Sequence, residues 1–269
     1  MSVDFTFKEK YGIDDLLEIM SILRSDEGCP WDREQNHKSI KSSLIEETYE
    51  VVEAINKDDA ELLCEELGDV LLQVVFHAQL SKEEQSFDFG DVTDGVCKKM
   101  IERHPHVFGN VTVKDSDEVL VNWDEIKSKS KNRKSTTDKI LSIPRELPAL
   151  MRSTKVQQKA AKAGFDWEQA DGAFDKVLEE TDELKEAFAS GNASAVEDEL
   201  GDLLFSVVNV SRFVHADAEE SLTKATDKFI NRYTVVERLA KEKGIDMLSA
   251  SIDELDVLWE EAKRQTKSN

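Results

Sequence analysis

Glu46-Glu47-Thr48-Tyr49-Glu50, followed by Glu65-Glu66-Leu67-Gly68-Asp69-Val70-Leu71, decides the reading of this chain. The same pattern returns as Glu179-Glu180-Thr181-Asp182-Glu183 and then Asp198-Glu199-Leu200-Gly201-Asp202-Leu203-Leu204. The gap between the two parts is nearly equal in both copies. Working outward, Pro30-Trp31-Asp32 faces Phe165-Asp166-Trp167 upstream, and Lys99–Arg103 faces Lys228–Arg232 downstream. Asn122-Trp123-Asp124-Glu125-Ile126-Lys127 faces Leu258-Trp259-Glu260-Glu261-Ala262-Lys263 at the end. Five landmarks in one order mark a tandem duplication, and a repeated unit is the first feature to establish in any fold argument. Residues 13–126 form the first repeat and 141–265 the second.

Both halves carry apolar residues three and four apart, which predicts helices. The segments are Ile13–Leu23, Ser39–Ile55, Ala60–Leu80 and Asp91–Arg103, then Leu147–Ala163, Gly172–Phe188, Ala195–Val214, Ala218–Ala240 and Ser251–Ala262. Asp171 and Asn192 are expected N-caps. No segment alternates with period two, so the fold is expected to be all-α. The acids fall on the wrong side of these helices. Glu180 completes the apolar stripe of Ala173, Val177 and Leu184, with Glu183 one turn on. Glu199 and Asp202 border the stripe of Val196, Leu200, Leu203 and Val207. In the first repeat Glu47 interrupts Leu44, Val51 and Ile55, Glu50 follows one turn later, and Glu66 and Asp69 flank Leu67 and Val70. Carboxylates at i and i+3 share a helix face. At ~6 Å and an effective dielectric of ~20, each pair repels by roughly 3 kcal/mol. Four on neighbouring helices need protons or a hard divalent cation, and Mg²⁺ or Mn²⁺ suits an all-carboxylate site.

The 269 residues carry 35 Lys+Arg against 57 Asp+Glu, a formal charge of −22. That balance argues against stable binding to nucleic acid or to anionic lipid. Charged residues at 34% with 11 Gly and 4 Pro favour helix over sheet. Cys29, Cys64 and Cys97 show no zinc spacing, and their odd number without a leader-like start predicts a reducing, cytoplasmic location. No stretch approaches the ~20 apolar residues of a membrane span. Residues 127–140 form a basic, apolar-poor run that is expected to be a flexible linker.

Gly28-Cys29-Pro30-Trp31-Asp32, the paired E-E-x-x-E and E-x-x-D motifs, Arg103-His104-Pro105-His106-Val107-Phe108-Gly109 and the duplication itself resemble the MazG nucleoside triphosphate pyrophosphohydrolases. The resemblance runs from about Ile13 to Lys263. It implies all-α bundles completed by a second copy in a homodimer. It also implies Mg²⁺-dependent cleavage of nucleoside triphosphates to monophosphate and pyrophosphate, with broad base tolerance. Within that pattern Glu180, Glu183, Glu199 and Asp202 are expected metal ligands, and Lys176, Lys228, Arg232 and Trp259 are expected nucleotide contacts. Trp259 offers a stacking surface to any base.

Glu179 adjoins Glu180 but lies about 100° round the helix. It is the candidate to orient or deprotonate the attacking water, and an exposed helix acid is the competing reading. His104 and His106 have no matching ligands and read as helix-end structure, and His37 and His77 read as structural. The second repeat is expected to be the main catalytic unit, because the first has Ser43 where the second has Lys176 and carries a His-Pro insertion after Arg103. An acidic helical interaction module that holds a cation without turnover is the alternative class of function.

Overall fold

The computed structural model describes residues 5–116, 118, 119, 122, 123, 126, 127 and 135–266. Among them the chain is helical without strands, as expected. It divides into two compact units, 1–127 and 128–269.

In the first unit α1 (Ile13–Leu23), α2 (Pro30–Glu34), α3 (Lys41–Asn56), α4 (Ala60–Glu83), α5 (Phe89–Arg103) and α6 (Pro105–Phe108) follow in order. α3 and α4 form a hairpin, and α1 and α5 pack on α4. The turn between them uses Asp58, at φ 52°, and then Asp59 as N-cap, whose Oδ1 accepts from the amides of Glu61 and Leu62. Met20, Ile40, Val75, Phe76 and Leu80 make the core, with Leu16, Leu17, Leu72 and Phe89 against it. The Arg24 guanidinium lies over the Phe76 ring and donates to both carboxylate oxygens of Glu83.

In the second unit α7 (Thr136–Leu141), α8 (Ala149–Ala161), α9 (Ala170–Ser190), α10 (Ala193–Phe213), α11 (Ala218–Lys243) and α12 (Ile252–Thr266) follow. α9 and α10 form the hairpin, turning through Gly191 at φ 71° into the Asn192 cap. That φ lies in the left-handed region where glycine costs least. α10 packs on α8, whereas α11 packs on α12 and α8 rather than along the α9–α10 hairpin. Val236, Leu239, Ala240, Leu258 and Ala262 form a separate core between α11 and α12.

Two expectations are corrected. Gln169, not Asp171, precedes the first turn of α9, and Asp171 lies inside that turn. The Trp167 ring sits against Gly172, where a Cβ would approach it to 2.8 Å, and the helix begins two residues earlier than its acid suggests. Part of the basic stretch 127–140 is ordered: Ser135 and Asp138 form a capping box that starts α7, and α7 packs on α8. Residues 128–134 of that stretch, and Asp124 and Glu125 of the upstream landmark, lie outside the described residues.

Phe76 is 4% exposed and fills the centre of the first core. Phe76→Ala is expected to destabilise the first unit by about 3–5 kcal/mol, the usual cost of emptying a buried aromatic site. Urea unfolding followed by circular dichroism measures it.

Candidate active site

The hairpins place the acids by heptad register. Ala173, Glu180 and Ala187 are seven apart and all buried, so the stripe that binds α9 to α10 has a carboxylate at its midpoint. Ile40, Glu47 and Ala54 repeat the register in the first unit, with Ile40 and Ala54 buried and Glu47 half-buried. Small residues at Ala54 and Ala187 allow the partner helix to come close. Across each interface α4 supplies Glu66 and Asp69, and α10 supplies Glu199 and Asp202. Glu180, Glu199 and Asp202 each offer an oxygen within 4.8 Å of the other two, and Glu47, Glu66 and Asp69 do the same.

The electrostatics differ between the two clusters. Glu180 is 4% exposed. Its Oε1 accepts from the Lys176 ammonium at 2.7 Å, and its Oε2 is buried without a hydrogen-bond partner. Lys176 also donates to Glu179 Oε1 at 2.8 Å. The hydrogen bonds to Glu179 and Glu180 hold the ammonium proton far more tightly than in a free lysine. Glu183 is exposed as a residue, yet its carboxyl is pushed up by lost hydration, the charge of Glu180 and a hydrogen bond to it. In the first cluster Ser43 replaces the lysine. Burial first, then the charges of Asp69, Glu50 and Glu66, push Glu47 above the ordinary carboxyl range. Burial and Glu50 act likewise on Glu66.

These donors fit a hard divalent cation. All are oxygens, three converge from two helices, and the orphaned Glu180 Oε2 is a buried acceptor that a cation would satisfy. Glu180, Glu199 and Asp202 therefore come together as expected, and Glu183 adjoins them through Glu180. Glu50 bears the same relation to Glu47 and Glu66 through its hydrogen bonds. Lys176, which the family resemblance implies as a nucleotide contact, is here the counterion of Glu179 and Glu180.

The remaining expected contacts lie on the other hairpin. Lys228 is exposed on α11. The Arg232 guanidinium lies 6.0 Å from the Trp259 ring, and Phe229 is 5.2 Å from the same ring. Trp259 packs against the α11–α12 core, which by itself accounts for its position. Arg103 over Trp123 at 5.3 Å repeats the device in the first unit. His104 ends α5 with Nδ1 against the Met100 carbonyl, and its ring meets Trp123 edge-on. His37 and His77 stack with Nδ1 atoms 2.8 Å apart, and burial, then the charge of His37, depress His77. Both pairs are structural contacts, as read from the sequence.

A MazG nucleotide pyrophosphohydrolase domain matches twice, over residues 35–108 and 171–236. The chain is 43% identical over 256 residues to the nucleoside triphosphate pyrophosphohydrolase of Escherichia coli K12, covering 94% of this chain and 97% of that one. It is 44% identical over 250 residues to the nucleoside triphosphate pyrophosphohydrolase/pyrophosphatase MazG of Thermotoga maritima, covering 93% and 95%. It is also 46% identical to the uncharacterized protein YabN of Bacillus subtilis, over 91% of this chain and 50% of that longer protein.

A prediction follows from the raised carboxyls of the first cluster. Glu47 and Glu66 titrate above the ordinary carboxyl value of about 4.5 in the folded state, so folding takes up protons in that range. The stability this gives is complete below about 4.5 and is lost as pH rises through the raised values. In chelator, Glu47→Gln should therefore melt higher than the parent at pH 7 and match it near pH 4. Added Mg²⁺ should stabilise the parent but not the variant. Differential scanning calorimetry of the two proteins tests both statements.

Proposed function

The chain belongs to the MazG nucleotide pyrophosphohydrolase family, and from that premise we propose that it hydrolyses nucleoside and deoxynucleoside triphosphates to the monophosphate and pyrophosphate. The observation that carries the reading is the carboxylate trio on the α9–α10 seam, whose one buried member, Glu180, has its Oε2 without a partner. Lys176 meets one oxygen of Glu180, and a metal–triphosphate complex brings positive charge to the other. Mg²⁺, with Mn²⁺ as a substitute, supplies neutralisation of the triphosphate and an acidified water when bound.

The chain's own groups do the rest. Glu180, Glu183, Glu199 and Asp202 would hold the cation. Glu179 accepts the proton of a water directed at the α-phosphorus. Lys176, already poised between Glu179 and Glu180, would turn its ammonium to the phosphate when Glu180 serves as a cation ligand. Lys228 and Arg232, i and i+4 on α11, present two cations to one anion. The second repeat does most of the work, because the first has no lysine at Ser43 and a cation contact is worth roughly 1.5–3 kcal/mol. The chain works in the cytoplasm. Among the described residues no helix is long and apolar enough to cross a membrane.

We also propose a homodimer. Leu178 and Phe188 on α9 are 65% and 77% exposed, Leu200 and Leu204 on α10 are 46% and 51% exposed, and α11 does not cover them. Apolar faces of this extent mark an interface. A second copy on that face completes the bundle and carries Lys228 and Arg232 toward a triphosphate. Leu178→Asp is expected to shift the protein to monomer in size-exclusion chromatography with light scattering, and to lose turnover with it.

The activity is tested by ATP hydrolysis in ¹⁸O-water. Label belongs in the monophosphate, and label in pyrophosphate would mean attack at the β-phosphorus. Glu180→Gln should lower kcat by more than the ~10–100-fold typical of a group that only supports a ligand. Glu47→Gln should keep most activity, and equal losses in two folded dimers would show that the repeats share catalysis.

A further inference from the structure

α3 starts without a side-chain cap. Ile40 stands at its N-cap position and offers no acceptor to the first amides. An apolar residue there is among the poorest choices. Ile40 is nevertheless 2% exposed and heads the seam that runs on through Glu47 and Ala54. Residues 35–39, just before it, are fastened to α4 through His37, which meets His77, Ser81 and Glu84.

The His37–His77 contact admits one hydrogen. The two Nδ1 atoms are 2.8 Å apart, the ring planes lie 5° from parallel and the ring centres are 5.1 Å apart. That separation is close to the N···N distance plus two ring radii, so the nitrogens point at each other. One of them carries N–H and the other is bare. The outer nitrogens decide which. His77 Nε2 is buried without a partner, and so is Gln73 Oε1, one turn earlier on the same face of α4. A hydrogen on His77 Nε2 sets a donor one turn from that acceptor, whereas a bare Nε2 leaves two buried acceptors. His77 Nδ1 is then bare and accepts from His37 Nδ1–H. His37 Nε2 faces Ser81 Oγ at 3.3 Å and Glu84 Oε2 at 3.9 Å. A serine hydroxyl donates to a bare Nε2 and accepts from a protonated one.

An added proton therefore has one place to go. On His37 Nε2 it keeps the head-on bond, makes it charge-assisted and adds an ion pair with Glu84. On His77 it would put a second hydrogen between the Nδ1 atoms. Burial, then the charge of His37, also hold His77 below the ordinary imidazole range. The other charges on the neighbouring elements are engaged elsewhere or exposed. Arg24 of α1 is taken by Glu83, Arg33 of α2 donates to the Asp26 carbonyl, and Asp88 and Asp91 cap α5. Lys38 and Lys41, at the entry of α3, are exposed. Among the described residues Glu84 is the one carboxylate in ion-pair reach of either ring. We propose that His37 and His77 form an acid-tightened clamp, in which proton uptake on the outer nitrogen of His37 fastens the entry of α3 to α4. In the second hairpin Val210 stands where His77 stands, so the response is confined to the first unit. Neither nucleotide nor metal takes part.

Two measurements on the full chain in chelator test the clamp. Long-range ¹⁵N–¹H spectra of the imidazoles report the hydrogen on each ring nitrogen. From about pH 8 to about pH 6, the range in which histidine charges, His77 should keep Nε2–H and a bare Nδ1 while His37 gains its second hydrogen. A His77 that carries Nδ1–H, or that charges together with His37, overturns the inference. Hydrogen exchange, corrected for the intrinsic rate, should show about fivefold more protection of residues 40–46 at the lower pH, the gain expected when a neutral hydrogen bond becomes a charged one. Residues 170–179 of the second unit should not change. No gain in the first unit, or an equal gain in both, overturns the clamp. His77→Val, which copies the second repeat, should abolish the gain, and a full gain in that variant overturns the inference. If His77→Val fails to fold, Glu84→Gln, on an exposed side chain, should cut the gain at least twofold, and an undiminished gain overturns it.

Discussion

Glu180 sits where an apolar residue belongs, and the second unit is organised around that fact. Its heptad neighbours Ala173 and Ala187 are buried on the same seam. The seam therefore brings a carboxylate under the face of α10 that carries Glu199 and Asp202. Like charges gathered this closely repel, and low local polarity sharpens the repulsion. The chain relieves part of it with Lys176, whose ammonium bridges Glu179 and Glu180. What is left, one buried carboxylate oxygen without a partner, is the opening for a cation. Stability and chemistry thus meet at one side chain: the group that leaves a buried oxygen unpaired is one of three that could hold a cation.

The duplication gives an internal comparison at each step. Both hairpins keep the seam, the three converging acids and the turn through a left-handed residue. They part at several positions. Ser43 stands for Lys176, so burial and neighbouring charge push Glu47 up in the first cluster, whereas an ion pair meets Glu180 in the second. Phe76 stands for Asn209, so the first core is filled and the second is open. Each difference is local: the second unit has a lysine beside its acids and a polar residue facing a cavity, and the first has a phenylalanine in its core around an otherwise similar acid cluster. Substitutions that strengthen packing at one copy and preserve polar groups at the other are what divided labour between repeats looks like in physical terms.

Much of this was legible from the chain alone. Periods of three and four gave every long helix to within a few residues, and the acids that broke those periods marked the site. Asn192 was found as a cap because its side chain has no better use at a helix start. Asp171 was not, because Trp167 against Gly172 moves the start of α9 upstream. α7 was missed because a short polar helix has no periodicity to show, although its Ser135–Asp138 box was readable. Asn209 also left a trace, as a polar residue on a buried face opposite Phe76 in the other repeat. Alone it reads as a tolerated surface residue, and only alignment of the two copies gives it meaning.

The sequence by itself determined the duplication, the all-α class and the carboxylate set, because register and spacing are properties of the chain. It also held the family membership, since the motifs that carry it are contiguous. Only the tertiary structure decided which acids converge, that Lys176 is spent on Glu179 and Glu180, and that Lys228, Arg232 and Trp259 belong to a hairpin packed on α8 rather than on the acid-bearing helices. It alone revealed the cavity between α8 and α10. The reason is the same in each case: pairing of charges and filling of space depend on distances between segments far apart in the chain, which packing sets and local pattern does not.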